Sequence, residues 1–140
     1  MSNVPVTLPR PLINQLLHYA QLTPEAEICG LIGAGPNGAY RCYPVPNAAA
    51  DPARRFELDP AGQIEAIRLM RERGESLFAI FHSHPSAPAE PSPADFAEAS
   101  HPEALYLIIS LNTKGVLEMR GFRLDDDKRF AEIALSLSST

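Results

Sequence analysis

Hydrophobic residues recur along this chain with two different periods, which divide it into helices and strands. Apolar positions three or four residues apart in 9–21 and 61–73 predict two amphipathic helices. Shorter apolar runs, bounded by glycine, proline or polar residues, predict strands. The predicted strands cover residues 28–32, 40–45, 77–81, 105–110, 116–124 and 129–137. Helices interleaved with strands in this way predict an α/β domain with a mixed, largely antiparallel sheet flanked by helices.

The segments between these elements have the composition of turns and loops. Glycines in 33–38 and 114–115 predict tight turns, and the small polar residues of 47–54 predict a loop. Three prolines in 85–92 exclude a helix or a central strand there. Residues 93–100 are predicted to form a short helix directly after that proline-rich loop.

Composition is typical of a globular protein and argues against several classes of function. The chain has 140 residues, so residues 1–140 are predicted to form one domain. A net charge of −5 without a block of Lys or Arg argues against nucleic acid or an anionic membrane as partner. Residues 1–12 do not have the pattern of a secretory signal, and no apolar run is long enough to span a bilayer. Cys29 and Cys42 are too few for a disulfide scaffold. A cytoplasmic location is therefore predicted.

The glycine-rich hexamer at 33–38 matches a dinucleotide-binding fingerprint but has the wrong surroundings. It spells Gly-Ala-Gly-Pro-Asn-Gly, and the fingerprint requires a helix to begin inside it, with the helix N-terminus at the pyrophosphate. Here residues 40–45 alternate like a strand, and Pro44 and Pro46 would break a helix. We therefore interpret the hexamer as a hairpin turn.

Residues able to bind a metal ion are concentrated just after the strand predicted at 77–81. His82 and His84 are two residues apart, so on an extended strand both imidazoles project to the same face and can reach one ion. Pro85 ends the strand, because it cannot donate to the ladder. Asp95 follows in the first turn of the predicted helix. Two histidines and one carboxylate leave a fourth tetrahedral position for water, which is typical of a catalytic zinc site.

Parts of this pattern also have ordinary structural interpretations. Ser92-Pro-Ala-Asp95 is close to a capping box, and such capping is compatible with metal binding because it would fix Asp95. Residues 85–88 match P-x-x-P, for which a stiff loop is a better interpretation than a ligand for a partner domain. A cupin-like metal barrel fits poorly, because Glu90 lies farther from the second histidine than that pattern requires.

The whole pattern resembles the signature of the JAMM (MPN+) metalloproteases. Residues 82–85 (H-S-H-P) and 92–95 (S-x-x-D) have the composition and the spacing of that family. The family also has an upstream glutamate in a context such as E-x-C-G-L-L, which Glu27-Ile-Cys-Gly-Leu-Ile resembles. Glu25 is a nearby competitor, but the Cys-Gly-Leu-Ile context favours Glu27. Residues 55–60 add a weaker similarity to small bacterial members of the family.

This resemblance implies a single MPN/JAB-like domain, with a fold similar to that of the cytidine deaminases. It also implies a zinc ion held by His82, His84 and Asp95, with water in the open position. Glu27 would act as the general base for that water, and Ser92 would donate a hydrogen bond to the oxyanion of the tetrahedral intermediate. The implied activity is that of a zinc-dependent peptidase or isopeptidase.

The resemblance also indicates a class of substrate. Members of the family cleave peptide or isopeptide bonds after the C-terminal glycines of ubiquitin-like proteins, and small bacterial members resemble enzymes that release amino acids, notably cysteine, from sulfur-carrier proteins of the ThiS or MoaD type. Such a carrier is the expected partner and substrate, and a homodimer is left open. One alternative is a non-catalytic MPN-type scaffold, against which the complete motif argues. The other is a zinc hydrolase acting on a small molecule, for which the H-x-E and P-C-x-x-C pattern of the zinc deaminases is absent.

Overall fold

The computed structural model describes residues 4–99, 101–111 and 118–138. The helices are α1 (Arg10–Leu22), α2 (Pro60–Glu72) and α3 (Pro93–Glu98). The strands are β1 (Val6–Pro9), β2 (Cys29–Ala34), β3 (Tyr40–Val45), β4 (Ser76–His84), β5 (Leu105–Ser110), β6 (Glu118–Leu124), β7 (Phe130–Ile133) and β8 (Leu135–Ser138). None of these helices is long and apolar enough to cross a membrane.

Six of the strands form one sheet in the order β3-β2-β4-β5-β6-β7. Strands β4 and β5 run parallel, and the other neighbouring pairs in this sheet are antiparallel. Because β2 lies between β3 and β4, Cys29 is level with Val45 on one side and with His82 on the other. The mixed, largely antiparallel sheet expected from the sequence is confirmed.

Helices α1 and α2 cover opposite faces of this sheet, and the strand residues alternate between the two faces. The core under α1 includes Leu12, Leu16, Ile32, Phe81, Leu107 and Ile109, and the core under α2 includes Leu31, Tyr43, Met70, Ile80, Tyr106 and Ile108. His82 and His84 follow Ile80 at intervals of two residues along β4, so both project to the α2 face.

The end of the described chain differs from the sequence-based expectation. The single strand predicted over 129–137 is wrong, because β7 ends at Ile133 and β8 leaves the large sheet to pair in parallel with β1. The break falls at Ala134, whose carbonyl accepts a hydrogen bond from Val6 N at 2.9 Å and so joins the chain to β1. The sequence did not predict β1 either, because four residues directly before a helix are too few to show the alternation of apolar and polar residues that indicates a strand.

Other local expectations agree with the structure. Helices α1 and α2 lie within one residue of their predicted bounds. The hexamer at 33–38 is a hairpin turn, closed by a hydrogen bond from Gly35 N to Ala39 O at 2.8 Å, and Gly38 adopts a φ of 78° that favours glycine. Three expectations fall outside the described residues: the turn at 114–115, the first two residues of the strand predicted at 116–124, and the last residue of the helix predicted at 93–100.

Candidate metal centre

Strand β4 brings two imidazoles to one point. His82 and His84 lie at its end, and they are 1% and 2% exposed. Their Nε2 atoms are 3.1 Å apart. Pro85 follows at once and ends the strand, as expected from its missing N–H. The spacing of two residues therefore does bring the two ring nitrogens together.

The first turn of α3 directs a carboxylate at both histidines. Asp95 Oδ1 lies 3.1 Å from His82 Nε2, and Asp95 Oδ2 lies 3.1 Å from His84 Nε2. A reciprocal capping box fixes this carboxylate: Asp95 N donates to Ser92 Oγ at 3.1 Å, and Ser92 N donates to Asp95 Oδ2 at 2.8 Å. The capping box suggested by the sequence is confirmed, and it turns Asp95 towards the imidazoles.

The fourth residue, Glu27, comes from the segment just before β2. It is 4% exposed, and its carboxylate joins His82, His84 and Asp95 in a cluster whose possible ligand atoms all lie within 4.8 Å of one another. Glu25, the competing glutamate, is exposed in the preceding turn. The structure thus brings Glu27 to the two histidines and leaves Glu25 outside.

Two neighbours that the sequence motif does not contain orient the imidazoles. His84 Nδ1 lies 2.7 Å from Pro88 O, and a carbonyl oxygen can only accept, so Nδ1 carries a proton and Nε2 is the ring nitrogen that faces the cluster. Phe56 stacks on His82, with ring centroids 4.2 Å apart and 20° between the ring planes. Neither contact could be predicted from the sequence: one uses a backbone oxygen, and the similarity noted at residues 55–60 does not indicate that Phe56 would stack on His82.

Burial and mutual contacts determine the charges in the cluster. Burial raises the pKa of the Glu27 carboxyl to about 7 and is the largest cause of the shift. The charge of His84 lowers this pKa, and the charge of Asp95 raises it. Burial also opposes ionisation of Asp95, but its close contacts with the imidazoles of His82 and His84 outweigh burial and hold the pKa of Asp95 well below its usual range. Burial lowers the pKa of His82, whereas the pKa of His84 is raised because its contacts with Asp95 and Pro88 outweigh burial.

The donor atoms of this cluster fit a divalent metal ion. Three buried polar atoms have no hydrogen-bond partner among the described residues, namely Glu27 Oε1, His82 Nδ1 and Asp95 Oδ1, and two of these are carboxylate oxygens of the cluster. Buried polar atoms are normally satisfied, so such oxygens next to imidazole nitrogens indicate a site for a cation. Ligand atoms around a tetrahedral zinc ion would be about 3.3 Å apart, close to the 3.1 Å between the two Nε2 atoms.

Ser92 is accessible from a groove of about 470 Å³. The groove is lined by Ser92, Pro93 and Ala94 and by the loop residues Ala50, Asp51, Arg54, Arg55 and Glu57. Because Ser92 Oγ accepts a hydrogen bond from Asp95 N, its own proton can be donated elsewhere. A chain segment lying in this groove would therefore lie beside Ser92.

Comparison with known protein families matches most of the chain to one of them. The model for prokaryotic homologs of the JAB domain matches residues 9–124. The matched region contains Glu27, His82, His84, Ser92 and Asp95, so it includes every site residue expected from the sequence.

The proteins and solved structures that are similar to the chain include two peptidases and one solution structure. It is 32% identical to the CysO-cysteine peptidase of Mycobacterium tuberculosis over 118 residues, which cover 82% of this chain and 80% of that protein. It is 37% identical to the desampylase of Haloferax volcanii over 90 residues, which cover 62% of this chain and 64% of that protein, slightly under two thirds of its length. The solution structure of protein DSY2949 from Desulfitobacterium hafniense matches with a TM-score of 0.83 and 32% identity, covering 96% of this chain and 94% of that one.

Proposed function

The chain belongs to the prokaryotic homologs of the JAB domain, and from this membership we propose that it is a zinc-dependent peptidase that acts on conjugates of a ubiquitin-like or sulfur-carrier protein. The observation that carries the proposal is the buried cluster of Glu27, His82, His84 and Asp95, whose possible ligand atoms lie within 4.8 Å of one another. It combines metal donors with a carboxyl group of raised pKa, a combination that serves hydrolysis rather than a closed structural site. We further propose that residues 1–140 form one domain and that the enzyme acts in the cytoplasm.

We assign metal binding to His82, His84 and Asp95. Bound zinc would supply Lewis-acid chemistry, which makes water acidic enough to ionise near neutral pH and polarises the scissile carbonyl. His84 is prepared for this role by Pro88 O, which keeps the proton on Nδ1. Asp95 stays ionised because its pKa is held low. A ring nitrogen of fixed orientation and an ionised carboxylate therefore face the proposed metal position.

Glu27 is the proposed general base. With a pKa of about 7, its carboxylate can take a proton from water near neutral pH and return it to the leaving amine. Oε1 is buried and has no hydrogen-bond partner among the described residues, so this atom can accept the proton. The burial that raises the pKa of Glu27 also limits access of bulk water to the site.

Ser92 is the proposed donor to the oxyanion. Its backbone N–H and its Oγ lone pair are both used in the capping box with Asp95, which fixes the residue at the start of α3. The Oγ proton can then point to an oxygen that becomes negative in the transition state. Because one capping box holds both Ser92 and Asp95, the oxyanion donor and the metal-binding carboxylate keep a constant relative position.

The proposed substrate is a carrier protein whose C-terminal Gly-Gly tail is joined to cysteine, a peptide or a protein. The similarity to the CysO-cysteine peptidase supports a conjugate of this kind. A folded carrier bound outside the groove would direct its flexible tail to the cluster, so binding energy is used to orient the scissile bond. Glycine suits the cleaved position because its backbone can approach buried residues without a side-chain clash.

The decisive test is cleavage of defined conjugates followed by mass spectrometry. A carrier–cysteine adduct, a carrier–peptide fusion and an unstructured peptide with the same terminal sequence are incubated with zinc-loaded protein. We expect cleavage just after the diglycine of the folded carriers and poor cleavage of the free peptide, with the Glu27→Gln variant as the inactive control. Equal cleavage of random peptides would indicate a general peptidase. Zinc-loaded protein that cleaves no carrier conjugate would contradict the proposal and favour a scaffold.

A further inference from the structure

The middle residue of the H-S-H motif has no part in the proposed chemistry, yet it is fully buried. Ser83 lies between His82 and His84 on β4, so its side chain projects to the opposite face of the sheet. There it contacts the backbone of Ile28: Ser83 N donates to Ile28 O at 3.0 Å, and Ile28 N donates to Ser83 Oγ at 2.9 Å. Ile28 directly follows Glu27, so Ser83 joins the strand of the histidines to the segment of the proposed base.

Two more hydrogen bonds hold the backbone of Glu27 from the other side. Glu27 N donates to Pro52 O at 2.7 Å, and Asn47 Nδ2 donates to Glu27 O at 3.0 Å. Asn47 makes further hydrogen bonds within the same loop, which fix its amide. All four backbone polar groups of Glu27 and Ile28 therefore have partners.

This hold on the backbone matters for the position of the Glu27 carboxylate. Glu27 Oε1 has no hydrogen-bond partner among the described residues. Without a hydrogen bond at that atom, the position of the carboxylate depends on packing and on where the backbone is anchored. Ser83 anchors it to the same strand that carries His82 and His84.

We infer that Ser83 is a positioning residue, with Asn47 as its counterpart in the loop, and that the two hold Glu27 at a fixed distance from the metal-binding residues. The inference rests on the proposed function, in which Glu27 is the general base. A base must lie within hydrogen-bond reach of the proton that it takes, and a displacement of about 1 Å can cost on the order of 100-fold in rate. Loss of the Ser83 hydroxyl should therefore lower kcat and leave KM nearly unchanged.

A double-mutant cycle on the zinc-loaded protein tests this role. Ser83→Ala should keep its zinc and lower kcat by roughly 10- to 100-fold, with KM within about twofold of wild type. In a Glu27→Gln background the same substitution should cause no further loss, because the group through which Ser83 acts is already gone. Ser136→Ala is the matched control: its hydroxyl bonds to Thr7 in the two-stranded sheet, and we expect no change in kcat.

Amide hydrogen exchange of the metal-free protein gives a readout independent of activity. The Ile28 amide should exchange faster in Ser83→Ala than in wild type, since its acceptor has been removed, while amides in the middle of β2 stay protected. Unchanged exchange would overturn the inference, and so would a normal kcat in Ser83→Ala or an equal loss of kcat in the Glu27→Gln background.

Asn47→Ala provides the same cycle if Ser83→Ala does not fold. It removes the donor to Glu27 O from the loop side and leaves β4 intact. We expect the same loss of kcat and its absence in the Glu27→Gln background, and a normal kcat or an equal loss in that background would overturn the inference. A wild-type protein that binds zinc but cleaves no conjugate would instead overturn the proposed function, which separates the two failures.

Discussion

The candidate site has two halves, the metal-binding residues and the proposed base, and different kinds of structure hold them in place. His82, His84 and Asp95 come from one short segment, in which a strand, a proline-rich loop and a capped helix succeed one another. Glu27 lies 55 residues before His82 and is held by hydrogen bonds to residues remote in sequence. The metal-binding half therefore depends on local structure and the proposed base on tertiary contacts, so mutations in the two halves should have different consequences.

The largest effect should come from the local half. His82→Ala and Asp95→Ala each remove one of three protein ligands, so each variant should lose the zinc that the wild type holds at about one ion per chain, and all hydrolysis with it. Metal analysis of the purified proteins measures this loss. His101→Ala, which changes a histidine paired with Glu103 outside the cluster, should retain full zinc. Full zinc in His82→Ala or Asp95→Ala would contradict the assignment of the ligands.

The remote half should separate metal binding from catalysis. Glu27→Gln removes proton transfer but no proposed ligand, so it should keep zinc while kcat falls by about 10²- to 10⁴-fold. Steady-state kinetics on a carrier conjugate, with metal analysis, give both quantities. Glu25→Gln is the matched control, because Glu25 is exposed near Glu27. If Glu25→Gln is the inactive variant, the wrong carboxylate has been identified as the base.

Ser92 should show a somewhat smaller effect, because it belongs to the local half and yet binds no metal in our assignment. Ser92→Ala removes the proposed oxyanion donor, which commonly costs about 10²- to 10³-fold in kcat, and the N-cap, which costs about 1 kcal/mol of stability. Ser92→Thr keeps a hydroxyl and a cap and should retain most of both. Kinetics combined with thermal unfolding measure the two losses separately. Equal kcat for wild type and Ser92→Ala would remove Ser92 from the mechanism.

The smallest effect concerns the stability of the metal-free protein, which the buried Glu27 carboxylate should lower. Burial raises its pKa from 4.5 to about 7 on folding, so the folded state keeps a proton that the unfolded state releases, and stability falls as the pH rises through this window. At pH 8, Glu27→Gln should therefore stabilise the metal-free protein by about 2–3 kcal/mol, and at pH 4 by much less. Urea unfolding at the two pH values measures the difference. An equal gain at both would mean that packing, and not charge, is responsible.

The same contrast explains how much of the molecule could be predicted from its sequence. The helices, most strands, the paired histidines and the capping box at Ser92 follow from periodicity and short-range spacing, which are local rules. Nothing local separates Glu27 from Glu25, because burial and proximity to β4 arise only when the sheet forms, and the choice between them depended on family context. Pro88 O and Phe56 were missed for the same reason: their contacts with His84 and His82 exist only in the folded chain.

The position of Cys29 next to the cluster has a consequence for which metal the site can hold. Cys29 is level with His82 in the sheet, and its buried thiol donates to Val45 O at 3.3 Å. Burial, aided by the charge of Glu27, raises the pKa of this thiol to about 12, so the sulfur keeps its proton at neutral pH. Soft metals and oxidants react with the thiolate and not with the thiol. In the metal-free protein this thiol is thus a neutral donor to Val45 O, and the clustered ligand atoms of Glu27, His82, His84 and Asp95 are nitrogen and oxygen, which suit a hydrolytic metal ion.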